Sequence, residues 1–343
     1  MINQIFILTD YKGFFGSKQK AKFYRGGMDL DKLSACFSKY GIQVTISSFT
    51  RLEVKNVDKE STLILYTSSE DKHGFYKDFI EDIIFHLDQV GYNLLPSYAC
   101  LKAHNNKVAM ELLRERSTME SIKTIHSAVF GTLDELIAQA DNFIFPVVIK
   151  PASGAMSRGV SKAENPKELV NIAKKISRSF NLKHNLKELL RNIKYRKSYV
   201  RESFYRSKFI VQNMIKNLGN DWKVLVYGPQ IYVLQRNNRK NDFRASGSGD
   251  FLFTKELPDG MLDFAQSVRN YFNVPHISLD IGFDGKRFHL IEFQFINFGT
   301  TTIEKSPFYF EKFEGKWIVK EGYSDLEKVY VTSLMSYLSV HVK

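Results

Sequence analysis

The stretch FPVVIKPASGAMSRGV, Phe145 to Val160, decides how this chain is read. Phe145 to Ile149 is short, apolar and rich in β-branched residues, the composition of a buried strand. It delivers Lys150 to the strand tip, where Pro151 is expected to stop the pairing. Lys150 is then held while the segment after it is free to move. Ser153, Gly154, Ser157 and Gly159 leave the backbone able to fold its N–H groups around an anion, and Lys150 and Arg158 put positive charge beside it. In outline this is a triphosphate clamp. It is not a Walker loop, since no GxxxxGK[ST] follows a strand, and it is not a GxGxxG dinucleotide turn. Turn composition alone also fits a β-turn with a surface lysine.

The far end of the chain weighs against that plainer reading. HISLDIGFDGKRFHLIEFQFINFGT, His276 to Thr300, reads as a β-hairpin with Asp284-Gly285 as its turn. A side-chain period of two puts Glu292 and Gln294 on one face of the second arm, with Asp280 within pairing reach on the first. Two carboxylates and an amide oxygen are hard ligands that suit Mg2+, which completes its shell with nucleotide phosphates and water. The alternative is the solvated face of an edge strand. Phe288, Leu290, Phe293 and Phe295 make the surroundings apolar, so a polar pair there costs stability unless something satisfies it.

In order along the chain come the strand-end lysine with its Gly/Ser loop, the strand Ile210-Val211-Gln212-Asn213-Met214-Ile215, Asp221-Trp222-Lys223, Arg244, and Asp280 with Glu292-Phe293-Gln294. This set, over about Leu101 to Phe310, resembles the ATP-grasp superfamily, and within it the carboxylate-amine ligases such as glutathione synthetase, D-alanine-D-alanine ligase and the glutamate ligases of peptide tailoring. The resemblance implies that Lys107 and Lys150 contact phosphates and that Ser153 to Gly159, with Gly154, Ser157 and Arg158, close over the β- and γ-phosphates. It implies adenine contacts at Gln212, Met214 and Ile215, a ribose and phosphate side lined by Asp221 and Lys223, and Arg244 beside the acyl phosphate. ATP and Mg2+, or Mn2+, are the implied cofactors, with Asp280, Glu292 and Gln294 as metal ligands. The family pattern is Glu-x-Asn followed by Pro-Gly; here it is Glu292-x-Gln294, so Gln294 or Asn297 completes the set. The glycine-bearing flap and the acidic hairpin are expected to meet one magnesium nucleotide.

The implied reaction is attack of a substrate carboxylate on the γ-phosphorus, giving an acyl phosphate and ADP, followed by displacement of phosphate by an amine, with Lys150 and Arg244 as the catalytic pair. Small-molecule or peptide carboxylates and amines are the expected substrates. Two other outcomes stay open: phosphoryl transfer to an acceptor that is then released, and a non-catalytic protein that binds anions or nucleic acid on the same scaffold. Cys36 and Cys100 have no His at an interpretable spacing and no GxSxG is present, so covalent catalysis is weakly supported.

A chain of 343 residues with 43% hydrophobic content has room for several cores. The expected architecture is α/β, a small parallel domain over residues 1–97 followed by a two-lobed α+β part, with a central lobe over 98–208 and a C-terminal lobe over 209–343. Loops Thr9–Gly16 and Thr67–His73, with Tyr11, Lys12, Ser68, Ser69 and His73, are candidates for acceptor binding. Gly247 and Gly249 in ASGSG mark another loop that could approach phosphate, and Trp317 is expected to fill core. No run is long enough to cross a bilayer, and two cysteines make no disulfide framework, which points to the cytoplasm. Lys174 to Lys208 carries twelve Lys or Arg against Glu188 and Glu202, which is +10 of the formal +12. This segment is either a solvated amphipathic helix or an arm for an anionic partner. The oligomeric state is left open.

Overall fold

Apolar strands alternating with amphipathic helices build the first part of the chain into a parallel sheet. In the computed structural model, which describes residues 2–53, 57–154, 157–179, 181–216, 218–240, 242–245, 247 and 249–341, this part runs β1 (Gln4–Thr9), α1 (Leu30–Ser38), β2 (Gln43–Ser48), β3 (Thr62–Tyr66), α2 (Phe75–Gln89), β4 (Asn93–Leu95) and α3 (Tyr98–Ala103). The strands pair in parallel in the order β2-β1-β3-β4. Asp29 caps α1 by accepting from the Lys32 N–H, and Leu33, Cys36 and Phe37 bury the helix's apolar stripe.

The next stretch forms a unit of its own, Asn105–Asn217. It contains α4 (Lys107–Glu115), β5 (Ser127–Phe130), α5 (Leu133–Ile137), β6 (Val147–Pro151), β7 (Ser161–Ala163), α6 (Pro166–Ile176), α7 (Leu182–Tyr195) and β8 (Phe209–Asn213). The sheet is antiparallel, in the order β5-β8-β6-β7. Phe130, Leu136, Val147, Ile149, Leu169, Phe209 and Val211 are among the residues of its core. Thr132 and Glu135 close a capping box on α5, and Asn165 with Pro166 starts α6. Lys150 stands near the strand end, but β6 begins at Val147 and pairing continues through Pro151, which faces Phe209. On its other side β7 stops opposite Ile149, so the missing proline N–H deprives no neighbour of a bond.

The remaining residues, Leu218–Lys343, form one unit with Met1–His104. They run β9 (Asn220–Tyr227), β10 (Gln230–Asn237), β11 (Phe251–Leu252), α8 (Met261–Phe272), β12 (His276–Phe283), β13 (Phe288–Gln294), α9 (Thr301–Lys305), β14 (Phe308–Phe313), β15 (Lys316–Glu321) and α10 (Leu326–His341). These strands form an antiparallel sheet in the order β13-β12-β9-β10-β14-β15, with β11 against β10. One hydrophobic cluster holds Ile5, Ile7, Leu33 and Phe37 from the N-terminal part together with Leu225, Tyr227, Tyr232, Val331 and Leu334. The two ends of the chain therefore share a core. The fold class is α/β, with a parallel sheet followed by antiparallel ones. Trp317 is not core: it is half-buried on β15, where its Nε1 donates to Asp263 Oδ1 at 3.0 Å.

Glu327 on α10 fastens that shared core. It is 1% exposed, and its Oε1 accepts from Lys18 Nζ at 2.6 Å and from the Asp29 backbone N–H at 3.0 Å. Removing one partner of a buried pair costs about 3–5 kcal/mol. Glu327→Ala should lower the free energy of unfolding in urea by about that amount. A loss smaller than about 1 kcal/mol would show that the carboxylate does not join the chain ends.

Candidate functional site

The Tyr227-Gly228-Pro229-Gln230 turn sets the register of β9 against β10, and so places Asp221 opposite Arg236. Register between β9 and β12 places Lys223 opposite Asp280, and the β12–β13 register places Asp280 opposite Glu292. The pairing shifts between Asp280 and Ile281, an irregularity of the β-bulge kind next to the acidic pair. The expected Asp221, Lys223, Asp280, Glu292 and Gln294 are thus gathered on neighbouring strands of one sheet.

Their side chains form a charge network. Arg236 clasps Asp221 through Nε at 2.6 Å and Nη2 at 2.9 Å, and the same Nη2 lies 2.9 Å from Asp280 Oδ2. Lys223 Nζ is 3.1 Å from Asp280 Oδ1. Gln294 Nε2 donates to Glu292 Oε1 at 3.1 Å. Burial pushes the Asp221 carboxyl up to about 6 against the opposing pull of Arg236. Burial would raise Asp280 too, but Arg236 and Lys223 outweigh it and hold that carboxyl well below the usual range. Asp280 is therefore ionised. Its Oδ1 is buried and is reached by the Lys223 ammonium, so a hard cation bound here would share that oxygen with Lys223. The residues present fit a Mg2+ ion held by Asp280, Glu292 and Gln294.

Asn297 is committed elsewhere. Its Nδ2 donates to the Ser68 carbonyl at 3.0 Å, and its Oδ1 accepts from Thr67 Oγ1 at 3.1 Å and the Ser68 N–H at 3.3 Å. It pins the Thr67 loop, and Gln294 is the amide left beside Glu292. Arg244 follows β10 and is engaged by Asp242, with Nη2 2.6 Å from Oδ2. Ser246 and Ser248 of the ASGSG loop lie outside the described residues.

The other expected residues belong to the unit Asn105–Asn217. Lys107 opens α4 after the Asn106 cap; its backbone N–H donates to the Ala152 carbonyl at 2.7 Å and its Nζ to the Gly154 carbonyl at 3.2 Å. Asn105 Oδ1 accepts from the Gly154 N–H at 2.8 Å. These bonds bring Lys107 to the loop that leaves β6 just after Lys150, which is itself buried. Gly159 has φ +73°, and a Cβ there would sit 3.0 Å from Pro151 Cγ. Ser157 and Arg158 are in the described part of the loop; Ala155 and Met156 lie outside it. Gln212 donates from Nε2 to Ser127 Oγ at 2.8 Å, and that hydroxyl donates to Glu111 at 2.7 Å, so the Gln212 side chain is held by its own unit. Met214 and Ile215 follow β8, half-buried.

Arg236 was not among the candidate site residues named from the sequence. The signal was present, because a two-residue turn between Tyr227 and Gln230 counts back to Asp221 opposite Arg236. Asn105 and Ser127 carried no such signal, since each acts through contacts distant in sequence.

No family model matches the chain. It is 24% identical over 202 residues to the alpha-aminoadipate–LysW ligase LysX of Sulfolobus acidocaldarius, covering 58% of this chain and 64% of that relative's length. The fold is similar to that of the D-cycloserine synthetase DcsG, with a TM-score of 0.54 and 11% identity over 98% of this chain and 99% of the other. It is also similar to the ATP-grasp ligase PsnB, solved with a precursor peptide and AMPPNP, at a TM-score of 0.51 and 10% identity over 98% of each chain.

Arg236→Met should leave two carboxylates buried with Lys223 alone beside them and lower stability by about 3–5 kcal/mol in urea titration. A change below about 0.5 kcal/mol would mean that the network is not what holds Asp280.

Proposed function

Because the chain carries the ATP-grasp fold, we propose that it is an ATP-dependent ligase that activates a carboxylate as an acyl phosphate, releases ADP and couples the acyl group to an amine. The observation that carries this reading is the charge network: a buried Asp280 kept ionised by Arg236 and Lys223, opposite Glu292, which lies two residues from Gln294 on the same strand. Bound Mg2+ would neutralise phosphate charge as the carboxylate attacks.

The chain's own residues do the rest. Arg236 and Lys223 keep Asp280 charged and fixed in position, and Asp221 keeps Arg236 in place. Lys107 and Lys150 supply positive charge at the phosphate-binding loop, where Gly154 and Gly159 hold backbone conformations that favour glycine. Gln212, Met214 and Ile215 take the adenine, and Arg244, once released from Asp242, steadies the acyl phosphate and the tetrahedral oxyanion. Ser153 to Gly159 closes to exclude water, since an acyl phosphate hydrolyses readily. A covalent route through cysteine is unsupported: burial pushes the Cys100 thiol up to about 11.

LysX is named for joining alpha-aminoadipate to LysW, and PsnB was solved with a precursor peptide. We extend from these to an amino-acid or peptide substrate, with the acceptor met by the Thr9–Gly16 and Thr67–His73 loops. The division at 1–97, 98–208 and 209–343 is the functional one we adopt, separating acceptor, phosphate and metal elements. Cys36 and Cys100 are both free thiols, which supports placement in a reducing compartment such as the cytoplasm.

ADP release against pooled carboxylates and amines with Mg2+, followed by mass spectrometry of the product, tests the reading. Turnover should require both substrates; a stable phosphorylated product would reassign the protein to phosphoryl transfer. Lys150→Ala and Glu292→Ala should each lower kcat/KM by about 100-fold or more with the melting curve retained, and unchanged turnover in both would refute the site. Arg244→Ala should spare nucleotide affinity and lower kcat by about 100- to 1,000-fold. An effect on affinity alone would move Arg244 from the chemical step to nucleotide binding.

A further inference from the structure

Helix α7 is built inside out. Of its 14 residues the buried ones are Asn185 and Glu188, both polar. Glu188 is stitched inward by the Tyr199 hydroxyl, by Arg191 Nη1 at 2.7 Å and by the Glu202 backbone N–H at 3.2 Å. Leu182, Leu186, Leu190 and Ile193 face water instead, 57% to 71% exposed, and Leu189 is exposed beside them. At about 100° per residue these five side chains fall in one arc of about 100°, and Lys183, Lys187, Arg191 and Lys194 fill the adjoining arc of about 80°. A surface helix ordinarily turns such an apolar arc into its own unit, so an aliphatic face left in water marks a surface that something else covers.

Charge limits what that cover is. The surrounding segment carries +10, and the one acidic residue between Arg178 and Arg201 is Glu188, which is turned inward. A second copy of the chain would set the same cationic row against itself. Nucleic acid would answer the charge but offers no apolar complement to an aliphatic arc. No carboxylate on this face sets a register for one particular protein surface. The matching complement is an unpatterned apolar layer with anionic groups above it. We propose that α7 is an interfacial helix that docks on an anionic lipid surface, seating its Leu/Ile arc at the headgroup–acyl boundary with Lys183, Lys187, Arg191 and Lys194 among the phosphates. At about 21 Å the helix is too short to span a bilayer and long enough to lie along one. The lysine stems can follow the apolar arc downward while their ammonium groups stay in the headgroup layer.

Co-sedimentation with phospholipid vesicles tests this independently of any ligase activity. The full chain should partition onto phosphatidylcholine vesicles containing roughly 30% phosphatidylserine, and at least about tenfold less onto phosphatidylcholine alone. Raising salt from about 50 mM to about 500 mM should weaken binding by a similar factor. Leu186→Glu with Leu190→Glu, and separately Lys183→Gln with Lys187→Gln, alter exposed positions; each pair should retain the melting curve and ADP release while losing about tenfold or more in partitioning. A chain that stays in the supernatant with anionic vesicles overturns the proposal, as does equal binding to neutral ones or wild-type binding by both double variants. Absence of vesicle binding together with a mobility shift on adding a synthetic acidic amphipathic peptide would assign the face to a protein partner instead.

Discussion

A single guanidinium, that of Arg236, is shared by two largely buried carboxylates on two other strands, and the acidic half of the candidate site depends on it. A buried carboxylate without a counter-charge protonates or destabilises the fold, and either outcome would remove Asp280 as a hard ligand. The planar fork of arginine meets Asp221 with two nitrogens and still reaches Asp280 with one of them, which a lysine ammonium could not do with the same geometry. Lys223 balances the count at two carboxylates and two cations. Glu292 and Gln294 are half-buried on the next strand, where a divalent ion would add its charge beside this neutralised set.

The lysine- and glycine-bearing elements of the other unit follow a different logic. Here backbone hydrogen bonds hold the elements together. The start of α4 is tied to the end of β6 through the Lys107 N–H and the Ala152 carbonyl, and Asn105 holds the Gly154 N–H. A helix N-terminus, two lysines and a glycine-bearing loop are thereby collected by bonds between segments far apart in the chain. Gln212 is anchored through Ser127 to Glu111, which pairs with Arg114, so the strand before Met214 and Ile215 is braced from behind. That bracing commits the Gln212 side chain to its own unit.

Much of this was legible along the chain. The lysine strand, a hairpin around Asp284-Gly285, the Asn165-Pro166 helix start and the parallel pairing of the N-terminal strands each rest on signals local in sequence, whereas Asp280 comes opposite Glu292 only through the Phe283–Phe288 pairing and the shift after Asp280. What was not legible involves partners far apart in the chain. Asn297 looked like a spare metal ligand because its proximity to Gln294 is visible in sequence, whereas its bonds to Thr67 and Ser68 are not. Trp317 looked like core because it is large and apolar, yet β15 lies at a sheet edge. For α7 the hydrophobic period named the helix correctly and said nothing about which face turns inward.

By itself the sequence determined most elements, the register across the Tyr227–Gln230 turn and the residue types available for phosphate and metal, because helices, strands and two-residue turns are settled by contacts within a few residues. The tertiary structure alone decided that Arg236 bridges Asp221 and Asp280, that Asn297 clamps a loop instead of a cation, and that α7 presents its leucines to water. Those outcomes depend on which surfaces remain once buried charges have been paired and most buried polar groups satisfied, a balance struck over the whole fold and not within any one segment of it.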